Sequence, residues 1–102
     1  MSRRHAREAA LLTLFQREFD HDRPPIVAAG DLASDAVDGL TEKDLAYANR
    51  LVQGTCSVQP EIDAAIECMA KEWKLHRMAP VDRNLIRMAY YEMCYQEERI
   101  DP

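Results

Sequence analysis

Glycine is scarce, with three in 102 residues, and no Asn-Gly or Asp-Gly pair joins two alternating apolar runs as a hairpin would require. The single Asp-Gly, Asp38-Gly39, precedes a helix start, and nothing in the chain reads as a strand. Cysteine is also sparse: Cys56, Cys68 and Cys94 are odd in number and widely spaced, with no CxxC pair and no Cys/His cluster at zinc spacing. A disulfide framework and a structural metal site are thereby excluded, and the thiols are expected to be reduced and mostly buried in a cytoplasmic protein. No apolar run approaches the ~18 residues of a membrane span, and no basic-then-apolar leader precedes a small-residue cleavage site. The chain carries no GxSxG, P-loop or HExxH signature, so an enzyme is not expected and no cofactor is implied. Cys56 lies 20 residues before His76, but no orienting partner for a Cys/His pair can be read. Asp20-His21-Asp22 reads as a polar loop rather than a metal site.

What is present is ordinary for a globular chain: 47% hydrophobic and 30% charged residues, enough for one small domain and too apolar for extended disorder. Five helical patterns follow one another. The first spans about 3–19, with Leu11, Leu14, Phe15 and Phe19 at helical spacing, small residues at Ala6, Ala9 and Ala10, and Ser2 as the cap. The second, about 25–37, rests on Ile26, Ala29, Ala33 and Val37 and is interrupted by Gly30. The third begins at a Thr41-Glu42-Lys43-Asp44 capping box and is expected to stop near Gly54. The fourth begins near Pro60 and carries a stripe of Ile62, Ile66, Met69 and Trp73. The fifth runs from Pro80 to about Glu97 and is apolar on nearly every side, which marks a central helix. Of the aromatic residues most read as core, and Tyr47 reads as the best surface candidate.

Charge is distributed unevenly. Residues 1–17 carry a net +3, residues 18–72 a net −8, and residues 73–102 a net zero, within an overall charge of −5. An acidic body repels nucleic acid at long range, so any RNA contact belongs on a local patch. Arg3, Arg4 and Arg7 fall within about a 100° arc at the start of the first helix, where the backbone dipole disfavours positive charge. An anion at that end resolves the conflict, since free N–H groups and arginine forks would point at the same phosphate. His5 adds a donor or a stacking ring. In the last helix, Arg83 and Arg87 repel each other at i, i+4 unless a partner intervenes. Glu92, among tyrosines and apolar neighbours, calls for an ion pair with Arg7 or Arg87.

Three stretches resemble the NusB family of bacterial transcription antitermination factors. RRHAREAALLTLFQ resembles the basic opening of the family's first helix. DLAYANRLVQGT resembles its D-x-x-[FY]-A-x-x-L-[VL]-x-G segment. WKLHRMAPVDRNLIRMAYYEMCY resembles its W-x-L-x-R-[LM]-x-x-V-[DE]-[RK] block and the helix that follows. The resemblance implies an all-α, NusB-like helical bundle forming a single domain over residues 1–102, with an N-terminal helical subdomain over 1–56 and an incomplete C-terminal one over 57–102. It implies pairing with NusE, a small-subunit ribosomal protein, and binding of the single-stranded boxA element of ribosomal RNA transcripts. The pair then enters an antitermination complex on RNA polymerase. Carried over, the RNA-contacting residues are Arg3, Arg4, His5 and Arg7, with Phe15 contacting RNA or supporting that surface. Asp82 and Arg83 match the region that faces NusE.

The family pattern continues past Ile100-Asp101-Pro102 with two further helices that these 102 residues do not contain. The last helix is therefore expected to show an uncovered apolar face, and self-association or docking on another chain through it is the consequence. This sets a second reading beside RNA binding: a short NusB-like protein-interaction module without boxA recognition. A third, a fragment of a ribosomal RNA methyltransferase carrying such a domain, finds no cofactor loop in the chain.

Overall fold

The computed structural model describes residues 3–22, 24–27, 40–70, 72 and 74–95, and these are helical with no strand. They form α1 (Arg4–Phe19), α2 (Glu42–Ser57), α3 (Gln59–Met69), a 3₁₀ turn (Leu75–Arg77) and α4 (Pro80–Cys94). The bundle is all-α, as expected. Of the anticipated helix over 25–37, residues 28–37 lie outside the described residues, and residues 25–27 are not helical.

Each helix start has a local cause. Thr41 caps α2: its hydroxyl accepts from the Asp44 N–H, and the Asp44 carboxylate accepts from the Thr41 N–H, both at 3.1 Å. Pro60 stands in the first turn of α3 and Pro80 begins α4, where a missing N–H costs nothing. The N-cap position of α1 is Arg3, which makes no side-chain capping bond; Ser2, the expected cap, lies outside the described residues.

Side-chain contacts fix the topology. Arg3 lies over Tyr47, and Arg17 donates to Cys56 Sγ at 3.0 Å, so α1 and α2 run parallel. Arg7 meets Glu92 while Asn84 meets Glu18, so α4 runs antiparallel to α1. The return from α1 to α2 is pinned by Asn49, which accepts from the Val27 N–H and donates to the Val27 carbonyl, each at 2.7 Å. Val27 is thereby buried, and Ile26 points outward. Ala6, Ala9, Ala10 and Thr13 on α1 and Ala48 on α2 are all fully buried. Small residues at this crossing let the axes approach closely. With Leu14, Leu51, Val52, Tyr47 and Met88 they form the main core. A smaller cluster of Ile62, Ile66 and Leu75 sits under α3, and Tyr91 packs against both.

Four local expectations are corrected. α2 does not stop at Gly54 but continues to Ser57. Gly54 is a packing residue, because a Cβ there would run into the ring of Tyr91. The α3 stripe stops early: the helix ends at Met69, which is 70% exposed, while Trp73 lies outside the described residues. The chain turns back there so that Leu75, whose N–H donates to Glu67 at 3.4 Å, fills the second cluster. α4 ends at Cys94, not Glu97. The thiols are not mostly buried: Cys68 and Cys94 are exposed near helix ends, and Cys56 is half-buried. All three are free, as expected.

Gly54 gives a direct test of the α2–α4 approach. Gly54→Ala should lower stability by about 1 kcal/mol: overpacking costs ~1–3 kcal/mol, and better helix propensity returns at most ~1 kcal/mol. In a Tyr91→Ala background the same change should stabilise. Urea titration of the four proteins reads both; a higher midpoint for Gly54→Ala alone would mean that the ring swings aside freely.

Candidate nucleic-acid interface

The N-terminal turn of α1 gathers the basic residues singled out in the sequence. Arg4 and His5 are exposed, and Arg3 and Arg7 are half-buried. No acidic residue occupies this first turn, whereas α2, α3 and α4 each begin with at least one. The first turn of α1 therefore brings basic side chains and no acid of its own to the helix N-terminus, which suits an external anion.

The four basic side chains are held differently. Arg4 pairs with Glu8 at 3.1 Å on the surface, a contact of little energetic weight. Arg7 is structural: its Nε donates to both Glu92 oxygens, at 2.9 and 3.1 Å. The expected ion pair of Glu92 thus forms with Arg7, not Arg87. This hydrogen bond, opposed by partial burial, raises the Arg7 pKa above its ordinary value. Arg3 stacks on Tyr47, its Cζ 4.1 Å from the ring centroid. His5 and Arg3 both act on Asp44, whose pKa is lowered first by its capping bond with Thr41 and further by these two charges.

Tyr47 is not the surface contact its position suggested. It is 2% exposed, covered by α1, and its hydroxyl donates to Glu92 Oε2 at 2.6 Å. Phe15 lies two to three turns from the basic end, half-buried and edge-on to Phe19 at 5.1 Å. At 100° per residue it shares the face of Arg4 rather than that of Arg3.

Asp82 and Arg83, at the start of α4, part company. Asp82 is exposed and edges a groove of about 450 Å³ floored by Met78, Leu85 and Ile86. Arg83 turns inward: it pairs with Glu18 through Nε and Nη2, and its Nη1 reaches the carbonyls of Leu75, His76 and Met78 at 3.2–3.5 Å. Glu18 also accepts from Arg87 and Asn84, each at 3.3 Å. Glu18 is the partner that relieves the Arg83–Arg87 repulsion. Alongside the groove, Val81, Leu85, Ala89 and Met93 form an exposed i, i+4 stripe, with Met93 82% exposed. Among the described residues no helix is long and apolar enough to cross a membrane, and no His/Cys/Asp/Glu group has the makings of a metal site.

The sequence profile of the NusB family matches residues 4–102, nearly the whole chain. The chain belongs to the NusB family. It is 42% identical over 98 residues to the transcription antitermination protein NusB of Desulforamulus reducens, covering 96% of this chain and 66% of that protein. The NusB of Heliobacterium modesticaldum is 43% identical over 98 residues, covering 96% of this chain and 46% of that protein. The NusB of Symbiobacterium thermophilum is 40% identical over 103 residues, covering 96% and 67%. The chain thus spans about two thirds or less of the length of these relatives. No solved structure matches it.

Two features of this family member were missed in the sequence. Arg50 on α2 lies beside the same Tyr47 ring as Arg3, with its Cζ 5.9 Å from the centroid. The Glu18–Arg83–Arg87–Asp63 cluster was also missed. The only sequence signal for it was the pair of like charges at Arg83 and Arg87, which demanded an acid from elsewhere in the chain.

Proposed function

We propose that this chain is a transcription antitermination factor that pairs with NusE and binds boxA-type single-stranded RNA through the basic edge at the start of α1. The pair would act in the antitermination complex on RNA polymerase. The observation that carries this reading is the acid-free first turn of α1, whose N-cap residue Arg3 makes no side-chain capping bond, with Arg3, Arg4 and His5 grouped around it. An RNA backbone supplies the missing negative charge, and each arginine–phosphate contact releases counterions. Arg7 supports this edge from behind through Glu92, and Phe15 supports or extends it along the face of Arg4. Pairing with NusE is assigned to the start of α4, where Asp82 borders the apolar groove and Arg83 fixes its wall.

The test is fluorescence anisotropy of a labelled boxA-type RNA with and without NusE at two salt concentrations. Arg3→Ala/Arg4→Ala should lower affinity tenfold or more and flatten the salt dependence by ~0.7 in slope per lost phosphate contact. Arg7 is left intact in this variant because its removal would disturb the fold. The exposed stripe on α4 favours a second reading, self-association or protein docking without RNA binding. A folded chain that ignores the RNA in every mixture, and that light scattering shows to be a dimer, would establish that reading and remove the first.

A further inference from the structure

We propose that the ring of Tyr95, at the end of α4, is a stacking platform for an RNA base, set beside the phosphate-binding edge of α1. This inference rests on the RNA reading above and adds a base contact to a site otherwise built from charge.

The antiparallel packing of α1 and α4 brings the two together. Arg7 and Glu92 are hydrogen-bonded across these helices at 2.9 and 3.1 Å. Arg3 and Arg4 stand four and three residues before Arg7, and Tyr95 stands three residues after Glu92. These spacings keep Arg3 and Arg4 on the Arg7 side of α1, and Tyr95 on the Glu92 side of α4. Because the helices run in opposite directions, all three residues lie about one turn, ~5 Å, beyond the ion pair at the same end of the bundle. Packed helix axes are ~8–10 Å apart, so one strand of RNA can reach both.

The ring is braced from behind. Tyr95 stacks on Tyr91 with centroids 5.9 Å apart and planes 8° from parallel, and the ring of Tyr90 meets it at 6.2 Å. Tyr91 is held in turn, since it packs against both core clusters and its ring lies where a Cβ on Gly54 would stand. Tyr95 is nevertheless 40% exposed, two residues from the 82% exposed Met93. A ring backed by other rings and open to solvent offers a base a preset surface, with little freedom left to lose on binding.

Charge sorts the two helix ends. α1 presents its N-terminus with Arg3, Arg4 and His5, which suits phosphate. α4 presents its C-terminus, which is partly negative, and has no basic residue in its last turn. A phosphate is disfavoured there, whereas an uncharged base is not. Stacking on aromatic side chains holds bases of any identity, and a basic track beside such rings is the general design of single-strand binding. A strand with its phosphates on α1 and one base turned onto Tyr95 satisfies both ends at once.

Tyr95→Phe, Tyr95→Leu and Arg3→Ala/Arg4→Ala would be titrated beside the unaltered full chain with labelled boxA-type RNA, with and without NusE, over a salt series. The RNA would be used intact and as a set in which one base at a time is replaced by an abasic site. Tyr95→Leu should weaken binding roughly five- to tenfold, the low end for a stacked base, and leave the salt slope unchanged because no phosphate contact is lost. Tyr95→Phe should bind as the unaltered chain does, since stacking needs the ring and not the hydroxyl. Removing one particular base should weaken the unaltered chain by the same factor and Tyr95→Leu hardly at all, a coupling that a purely structural role would not produce. If Arg3→Ala/Arg4→Ala weakens binding while Tyr95→Leu does not, the platform is wrong and the RNA reading stands. If Tyr95→Leu lowers affinity equally for every abasic RNA, or flattens the salt slope, Tyr95 acts through the fold and the proposal is overturned. It is also overturned if Tyr95→Leu weakens NusE binding and not RNA binding. If the unaltered chain binds no RNA in any mixture, both readings fall together.

Discussion

Replacing Arg87 with alanine is expected to cost the fold about 3 kcal/mol, a large share of what a domain of this size possesses. Arg87 is 7% exposed. Its Nε and Nη2 donate to the two oxygens of Asp63 at 2.7 and 2.9 Å, while Nη1 reaches Glu18 and Asn84 at 3.3 and 3.4 Å. One side chain on α4 thus ties α3 to α1. Truncation leaves Asp63 without its bidentate partner and Glu18 with only Arg83 and Asn84. Breaking a buried pair by removing one member costs ~3–5 kcal/mol, and the partial exposure of both acids puts this case at the low end. The thermal midpoint should fall by roughly 12–20 °C. Arg87→Lys should recover less than half, since an ammonium cannot reproduce the two-pronged contact. Arg87→Met/Asp63→Leu should recover most, because no charge is then stranded. A loss under ~0.5 kcal/mol for Arg87→Ala in a urea titration would show that the cluster is solvated and energetically idle.

Acid should dismantle the same cluster. The Glu18 carboxyl is held below its ordinary range, first by the hydrogen bonds from Arg83 and then, against the opposing effect of burial, by Asn84 and the charges of Arg83 and Arg87. A carboxyl with a depressed folded-state pKa stabilises the fold fully above its unfolded pKa. That contribution fades as the pH falls through the folded value. The stability gap between the unaltered chain and Glu18→Gln should therefore be widest near neutrality and close below about pH 4.

The parts of this fold that were legible in the sequence are those decided within one turn of the chain. The Thr41–Asp44 box and the prolines at 60 and 80 act on their own neighbours, and the structure keeps all three helix starts. Misreadings arose where a distant element decides. Gly54 has the look of a helix stop, but its lack of a side chain serves Tyr91, 37 residues away. Tyr47 lies between exposed Ala46 and buried Ala48, at the margin of the α2 face, and α1 and the contact with Glu92 bury it. The stripe through Met69 would have continued to Trp73 in an isolated helix. The chain leaves it because Leu75 must return to cover Ile62 and Ile66. The basic edge was half legible for the same reason. Arg3, Arg4, His5 and Arg7 are contiguous, but Arg50 reaches them only through the parallel packing of α1 and α2. Nor did contiguity reveal that Arg7 is tied to Glu92 while Arg3 lies on the ring of Tyr47 and Arg4 stays on the surface.

Glu92 joins the fold to the proposed interface, and two substitutions that make the same change in charge should separate its roles. It is half-buried near the end of α4, accepting from Arg7 and from the hydroxyl of Tyr47. Glu92→Ala strands a buried phenol hydroxyl and an arginine, and should cost about 2 kcal/mol. Glu92→Gln keeps an acceptor for Tyr47 and should cost about 1 kcal/mol. Either change removes one negative charge beside the basic edge, which by itself strengthens attraction for an RNA backbone. Only Glu92→Ala frees the ring on which Arg3 rests. Glu92→Gln should therefore bind labelled boxA-type RNA as tightly as the unaltered chain or more so. Glu92→Ala, measured where it remains folded, should bind several-fold more weakly. Equal affinities for the two would show that the ring needs no fixing and that Arg3 finds the phosphate unaided. A difference in the expected direction, at identical net charge, isolates the geometric contribution of the Arg7–Glu92–Tyr47 chain from its electrostatic one.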